Sequence, residues 1–529
     1  MERSTTIKAS VIDKIKALSY FNDFVKVLLV LLLCLPLFFI NIRNDIDWGD
    51  DNAHYLLQAK YIIETTPQTH TQYIYNINCA VLGPPSYPIG FPLLLSVVYG
   101  VKGLNLHAFS IFMTLALVAL CLLMVLYYKH KIRYLTSVFI ILLVAFNPLT
   151  LAFKSEIMSE IPFAVVLLAT LLLYQKYKNI FAFVLVGLLS GYLISIRVIG
   201  VVLPLAIGAD TLRNIIQTYL QQKKPLIYFV KPELIKLTII VVSSFVFYFL
   251  LNYVLFKIPT DSASGYLFLF RWNNFYTIVL NNLASYTEAL KLFFNPVNDK
   301  WIFLPLITKS IVFTMILLGF IKKLVKNTDV TEFMVILYVL VLLVYPYNQC
   351  GFRFLFPLLP FLMYYAVIGL KTVHLGIKVK TQWKVVFLGL LVLIQYIYGI
   401  NQIMRMQNEK QEGPCTADSW GAFDYIKNNT ADDAVIAFVK PRALALFTNR
   451  RCMANETHQE KQEPLVQKFD EVGVNYYLLY CQKPDEPWST LLAEMINPAL
   501  EKYIASVPNE ISLVWNNPRF KLYKRVKLR

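Results

Sequence analysis

The stretch VKVLLVLLLCLPLFFINI at residues 25–42 is followed, five residues later, by the acidic segment DWGDDNAHY at residues 47–55. An apolar run of about 20 residues is long enough to cross the hydrocarbon core of a bilayer. Similar runs recur at residues 111–127, 239–255, 330–344 and 383–398. In addition, 57% of the 529 residues are hydrophobic and 16% are charged, against roughly a quarter charged in an ordinary soluble domain. The sequence therefore predicts a polytopic α-helical membrane protein.

The net charge of +17 arises largely from short basic segments between the apolar runs, for example at residues 129–133 and 322–326. Basic residues concentrate in the cytoplasmic loops of membrane proteins. We therefore predict an integral plasma (inner) membrane protein with about eleven spans, a cytoplasmic N-terminus and an extracytoplasmic C-terminus. The basic charge then faces membrane lipids, and no nucleic-acid partner is expected. This count requires residues 180–212 to form two short helices that turn near Arg197.

Three polar segments lie outside in this topology: residues 43–105, residues 257–300 and the C-terminal region. We divide the chain into a transmembrane module, residues 1–405, and an extracytoplasmic domain, residues 406–529. Because loops carry most functional residues, the long outer segments predict that the chemistry takes place on this side.

The C-terminal region alternates predicted helices and strands. Strands are expected at residues 434–439 and 476–480, and a hairpin around residues 516–518. Helices are expected at residues 420–428, 441–447 and 489–507. This alternation indicates a small α/β domain.

Three aspartates, Asp47, Asp50 and Asp51, follow the first apolar run. The spacing of apolar residues at positions 53–63 predicts an amphipathic helix that lies along the membrane surface. Carboxylates at a helix N-terminus are favoured by the free backbone amides, so capping is one interpretation of Asp50 and Asp51. Capping accounts for one aspartate and leaves the others available for chemistry.

Further ionisable residues are predicted near the same membrane boundary. Glu156 and Glu160 are four residues apart and would share one face of a helix. The alternative is that this segment only caps the next span, around Ser159 and with Pro162 in the first turn. Basic residues on the outer side run against the positive-inside distribution, and an anionic phosphate at headgroup level is a natural partner for them. The alternative is a side chain that snorkels to the interface. These basic residues are Lys60, Arg197, Arg271 and Arg353.

Cysteine and histidine give no metal-binding pattern. The seven cysteines contain no C-x-x-C pair and the six histidines form no cluster. We expect no cofactor and no metal site, although a divalent metal stays open.

Several short motifs, in order, resemble those of the GT-C superfamily of membrane glycosyltransferases. The likeness is to the branch of the protein mannosyltransferases and the bacterial aminoarabinose lipid A transferases (glycosyltransferase family 39-like). The motifs are an Asp-Glu-Ala-x-Tyr-type element at residues 51–55, a Pro-Pro element at residues 83–94, an acidic loop at residues 155–163, an Arg-x-x-Gly turn at residues 197–200 and an Arg-Phe-Leu-x-Pro run at residues 353–357. Residues 440–450 resemble the C-terminal module of bacterial members.

The resemblance implies a GT-C-like fold and transfer of a polyprenyl-phosphate-linked sugar, with inversion, to a lipid, glycan or protein acceptor. The implied general base is Asp51, with Asp50 as the alternative because the family's Asp-Glu pair is Asp51-Asn52 here. Glu160 would assist it. The residues implied to bind the donor phosphate are Arg197, Arg353 and Lys60. Those implied to shape the loop or the acceptor site are Tyr55, Glu156, Tyr87 and Pro85. Gly83 replaces a lysine of the aminoarabinose branch.

Two other functions fit the same composition. A lipid-linked polysaccharide polymerase, ligase or flippase would also have long outer loops. A non-enzymatic membrane scaffold would use the same acids and arginines as caps and anchors. Only the transferase requires an aspartate at this position as a base.

Overall fold

The computed structural model describes residues 23–68, 71–76, 84–222, 227–259, 274–294, 303–345, 351–373, 379–455, 463–482 and 498–526. Helices dominate these residues up to position 406, and a mixed α/β module follows.

The helical part begins with α1, residues 23–34, which continues into a 3₁₀ turn at Leu35–Phe38. The next helices are α2 (Asp51–Ile63), α3 (Gly90–Lys102), α4 (Leu106–Tyr128), α5 (Tyr134–Ala145), α6 (Pro148–Phe153), α7 (Glu160–Lys176) and α8 (Ile180–Ile196). They are followed by α9 (Val202–Gln222), α10 (Ile227–Phe249), α11 (Phe275–Phe294), α12 (Phe303–Lys326) and α13 (Val330–Val344). The last are α14 (Gly351–Leu355), α15 (Leu359–Thr372) and α16 (Thr381–Met406).

Five helical stretches among the described residues are long and apolar enough to cross a membrane: Leu106–Tyr128, Val198–Gln221, Val230–Leu255, Gly351–Thr372 and Thr381–Met406. Large apolar side chains on the outside of the bundle, such as Val101, Phe245 and Phe387, are more than half exposed. A water-soluble protein rarely exposes so much contiguous apolar surface. The predicted α-helical membrane architecture is thus confirmed, and the total number of spans stays a prediction.

The predicted break near Arg197 is present. Arg197 adopts extended backbone dihedrals, which end α8, and a 3₁₀ turn at Val198–Val201 leads into α9. A Cβ atom at Gly200 would lie 2.8 Å from backbone atoms of Leu193 and Ile194, so the turn packs too closely on α8 for a larger residue. The backbone therefore holds Arg197 at the junction of two helices.

The C-terminal module contains a six-stranded sheet in the order β1-β3-β2-β4-β6-β5. Its strands are β1 (Tyr73–Ile74), β2 (Val435–Ala437), β3 (Arg451–Met453), β4 (Tyr476–Tyr480), β5 (Ile511–Asn516) and β6 (Phe520–Arg525). Its helices are α17 (Ala417–Asn429), α18 (Pro441–Thr448), α19 (Glu463–Val472) and α20 (Pro498–Ser506). The first four strands of the order are parallel, and β5 and β6 form an antiparallel hairpin. Part of the helix predicted at residues 489–507 lies outside the described residues.

One edge strand of this sheet comes from far earlier in the chain. Strand β1 belongs to the first long polar segment and pairs with β3, with Tyr73 opposite Cys452. The loop that carries the aspartates is thereby joined to the C-terminal module.

Helix α2 forms where it was expected, but the prediction that it is amphipathic is wrong, and its position along the membrane surface stays a prediction. Nine of its 13 residues are buried, including the polar Asn52, His54 and Gln58. The reason is that α3 packs on one side of α2 and α18 of the C-terminal module packs on another. A helix enclosed in this way has no solvated polar face.

Candidate active site

Carboxylates and arginines from five distant parts of the chain meet at the N-terminal end of α2. Asp51 begins α2, and Glu160 begins α7. Arg353 lies on α14, and Arg197 on the turn after α8. The fifth member, Arg442, comes from α18 of the C-terminal module. We call these five residues, together with Asp50, the acid–arginine cluster.

Glu160 is the most deeply buried acid of the cluster. Its Oε1 atom lies 2.5 Å from Nη1 of Arg197 and 3.0 Å from Nε of Arg353. Its Oε2 atom is also buried and accepts no hydrogen bond from any described residue. A buried carboxylate needs such partners because desolvation of an unpaired charge is costly. Glu160 therefore holds the two guanidinium groups in place.

Asp51 has a different environment. The hydroxyl of Tyr87 donates to its Oδ1 atom at 2.5 Å. Arg353 approaches Oδ2 and Arg442 approaches Oδ1, each at 3.5 Å. The side chain of Asp51 is 26% exposed, whereas that of Glu160 is fully buried. Of these acids, Asp51 is the one that a second molecule can reach.

The side chain of Asp50 binds to the C-terminal module. Its backbone has a φ of 66°, an uncommon value for a residue other than glycine. Its Oδ1 atom accepts a 3.0 Å hydrogen bond from the backbone N–H of Ala443, in the first turn of α18. The first N–H groups of a helix have no partner within the helix, so Asp50 acts as an N-terminal cap of α18 from another part of the chain. Burial raises the pKa of Asp50, and the nearby charge of Arg442 only partly opposes this.

Arg442 was not predicted as a site residue. It is completely buried and donates from Nη2 to the carbonyl oxygen of Pro84 at 2.9 Å. Its guanidinium lies 4.9 Å from the ring centroid of Tyr73 and 5.4 Å from that of Tyr87, within the range of cation–π contacts. One feature of the sequence could have indicated it: Arg442 interrupts the otherwise apolar segment of α18, and an arginine that becomes buried requires charged or aromatic partners.

The predicted loop-shaping residues surround the cluster. The ring of Tyr55 lies 4.6 Å from that of Tyr87, and its hydroxyl is 3.3 Å from Oγ of Ser159. Pro85 follows Pro84, the residue whose carbonyl binds Arg442. Glu156 lies in the loop before α7, where burial, aided by the charge of Asp47, raises its pKa to about 8.

Lys60 is not brought to the cluster. It lies nine residues after Asp51, about 13 Å along the axis of α2. Its Nζ atom donates to Oδ1 of Asn449 at 2.8 Å and lies 3.9 Å from Glu64. The predicted basic residue Arg271 and the position of Gly83 lie outside the described residues.

The charges of the cluster balance: three guanidinium groups face three carboxylates. Arg353 lies between Asp51 and Glu160 and contacts both. Within the described part of the chain, no group of three or more His, Cys, Asp or Glu side chains is placed to hold a metal ion. The positive charge at this site is supplied by arginine.

The helical bundle and the α/β module that follows it have the GT-C fold, as predicted. The structure of ArnT from Cupriavidus metallidurans bound to undecaprenyl phosphate matches with a TM-score of 0.54 and 12% identity, over 94% of this chain and 98% of that chain. The oligosaccharyltransferase AglB from Archaeoglobus fulgidus, in complex with an inhibitory peptide and a dolichol-phosphate, matches with a TM-score of 0.54 and 13% identity, over 87% of this chain and 70% of that chain. Neither a protein-family model nor a curated protein matches the sequence.

Proposed function

We propose that this protein is an inverting glycosyltransferase that moves a sugar from a polyprenyl phosphate to a hydroxyl of a lipid, glycan or protein acceptor. The observation that carries the proposal is the position of Asp51, a partly exposed carboxylate between Tyr87, Arg353 and Arg442. A carboxylate of this kind is suited to take a proton from an acceptor hydroxyl, because geometry is the first requirement of a general base. Related folds that contain undecaprenyl phosphate or dolichol-phosphate support the class of donor.

In the proposed reaction, the acceptor oxygen attacks the anomeric carbon while Asp51 takes the proton of the hydroxyl. The bond between the anomeric carbon and the phosphate oxygen breaks, and the polyprenyl phosphate leaves with the electron pair. Negative charge therefore grows on the phosphate, where fixed positive groups stabilise the transition state. Arg353 and Arg197 are the proposed partners of that phosphate.

Arg353 links donor binding to the base. Its contact with Asp51, at 3.5 Å, is longer than its 3.0 Å contact with Glu160. A donor phosphate would compete with Asp51 for this guanidinium, while Glu160 keeps the arginine in place. Donor binding would then free Asp51 to accept a proton.

Asp50 has a structural role in this proposal. Its Oδ1 atom is used by the amide of Ala443, and 4% of its side chain is exposed. The acceptor hydroxyl cannot reach such a buried group without disrupting α18. We therefore assign the base to Asp51, on the non-cytoplasmic side of the plasma membrane, and expect no requirement for a divalent metal.

The test compares Asp51→Asn with Glu64→Gln, a control at the exposed end of the same helix. Lipids are extracted from cells lacking the protein and from cells complemented with each variant, and polyprenyl-phosphate sugars are measured by mass spectrometry. We expect one such lipid to accumulate without the protein and with Asp51→Asn, and to return to its normal level with Glu64→Gln. Full complementation by Asp51→Asn would contradict the assignment and favour a flippase or a scaffold. If no polyprenyl-phosphate sugar accumulates in cells lacking the protein, the proposed donor class is wrong.

A further inference from the structure

A cavity lies where the helical bundle meets the C-terminal module, apart from the acid–arginine cluster. Its volume is 430 Å³, within the range of about 300–1,000 Å³ that is usual for small-molecule sites. The walls come from the segment after α1, the start of α4, the linker after α16, and helices α17 and α18. The lining residues that matter here are Asn44, Asp45, Asn408, Glu409, Trp420 and Phe447.

The polar wall of this cavity is held in one arrangement by hydrogen bonds between distant segments. Arg43 donates from Nε to Oδ1 of Asp45 at 2.6 Å and from Nη2 to the carbonyl oxygen of Glu409 at 2.8 Å. The backbone N–H of Gln411 donates to Oδ2 of Asp45 at 2.9 Å. These bonds tie residues 43–45 to the linker 409–411. A wall that is already ordered costs little entropy when a ligand binds.

Another part of the lining, which we call the aromatic wall, consists of Trp420 and Phe447. Trp420, on α17, is 41% exposed. Its ring makes T-shaped contacts with Phe447 at 5.4 Å and with Phe423 at 6.5 Å. Packing of this kind fixes the orientation of the indole and leaves part of it open to a ligand. Rigid aromatic side chains offer a large contact area at a small entropic cost.

This combination of groups is selective. Two carboxylates, Asp45 and Glu409, and one lysine, Lys410, line the cavity, so it does not favour an anion. Its exposed polar groups, Asn44, Asn408 and Glu409, would lose their contact with water to a hydrocarbon chain and gain no hydrogen bond in return. A sugar fits both walls, because its C–H face can lie on the indole while its hydroxyls bond to Asn44, Asn408 and Asp45. We propose that this cavity binds a neutral sugar residue of the acceptor, remote from the reacting hydroxyl.

The assignment of this sugar to the acceptor rests on the proposed glycosyltransferase function. The binding of a sugar by the cavity does not depend on it. Helix α18 connects the two places: Phe447 lines the cavity and Arg442 belongs to the cluster, about 8 Å apart along the helix axis. Contacts at a remote site of this kind stabilise the bound substrate and the transition state by the same amount. Its loss therefore raises KM for the acceptor and leaves kcat unchanged.

The experiment uses the full chain in lipid nanodiscs and saturation-transfer difference NMR. The probes are the methyl glycosides of glucose, galactose, mannose and N-acetylglucosamine, each added in solution. A parallel arm places glucosyl and galactosyl diacylglycerol in the nanodisc. We expect at least one sugar to bind in one of the two arms, with the strongest signal from protons on one ring face. Binding to the lipid-borne form alone identifies a lipid-linked glycan, and binding in solution identifies a free one.

Two variants and two controls decide the outcome. Trp420→Ala and the exposed Asn408→Ala should each weaken sugar binding about tenfold, which corresponds to about 1.4 kcal/mol. Trp383→Ala, an exposed tryptophan at the other end of α16, should bind as the wild type does, and so should Asp51→Asn. The proposal is overturned if no probe binds, or if both Trp420→Ala and Asn408→Ala bind normally. Because Asp51→Asn keeps the cavity intact, loss of sugar binding and loss of transfer are distinguishable.

Discussion

The pairing of Asp50 with Arg442 makes a quantitative prediction about stability. Arg442 forms an ion pair with Asp50, with Nε 3.9 Å from Oδ2, and the amide of Ala443 donates a hydrogen bond to Oδ1. Replacing Arg442 by Gln therefore leaves the carboxylate of Asp50 buried without its ion-pair partner. Removing one partner of a buried ion pair typically costs about 3–5 kcal/mol. We therefore expect Arg442→Gln to lower the free energy of unfolding by about that amount.

The reciprocal substitution should be much milder. In Asp50→Asn the amide oxygen can still accept from the N–H of Ala443, and asparagine caps helices well. Arg442 keeps its contacts with Asp51 and with the carbonyl of Pro84. The expected loss is about 1 kcal/mol or less, from the missing charge at the N-terminus of α18.

The double variant Asp50→Asn/Arg442→Gln completes the cycle. It should be more stable than Arg442→Gln alone, by roughly 2 kcal/mol, because no uncompensated charge stays buried. The measurement is urea-induced unfolding of the purified protein in detergent, followed by tryptophan fluorescence. The penalty of Arg442→Gln should be smaller at pH 5 than at pH 8, since burial already raises the pKa of Asp50 and favours its neutral form. A loss below about 1 kcal/mol for Arg442→Gln, or strict additivity of the two substitutions, would refute the reasoning.

Three further predictions concern the remaining site residues. The folded-state pKa of Glu156, about 8, lies above its ordinary value of 4.5, so its contribution to stability is complete below pH 4.5 and is lost as the pH rises to about 8. Urea unfolding should therefore show that the wild type loses stability between pH 5 and pH 8 relative to Glu156→Gln; parallel curves would contradict this. Lys60→Met, at the far end of α2, should change the transfer rate less than about twofold, whereas Arg353→Gln should lower it about 100-fold or more, as expected for a group that stabilises the growing charge. Transfer should persist in EDTA, because arginine side chains supply the positive charge at the site, and Arg353 contacts both Asp51 and Glu160. Loss of the rate in EDTA and its recovery with Mg²⁺ or Mn²⁺ would contradict this expectation.

The helices and most strands follow from local patterns in the sequence. Helix α13 covers residues 330–344 and strand β4 covers residues 476–480, the same ranges that the apolar runs predict. The break at Arg197 is likewise visible as a polar residue between two apolar stretches. Periodicity and composition determine such elements because their stability depends on residues that are close in the sequence.

The cluster itself was only partly visible. Asp51, Glu160, Arg197 and Arg353 were selected as candidates by the cost of placing charges near a membrane, and the structure brings these four together. Lys60 met the same criterion, but the criterion does not specify which end of α2 joins the cluster, and Lys60 lies about 13 Å from Asp51 along the helix axis.

The sequence by itself determined the membrane-spanning character of this protein, the order of its helices and strands, and the residues that require a charged partner. The tertiary structure alone decided which partners they have. Arg442 approaches Asp51 across 391 positions of the chain, and the two-residue strand β1 finds its place beside β3. Contacts of this range depend on how whole elements pack, and α3 and α18 together enclose a helix that the apolar spacing predicts to be amphipathic. Local periodicity contains no information about such packing, because it records only the neighbours within a few residues.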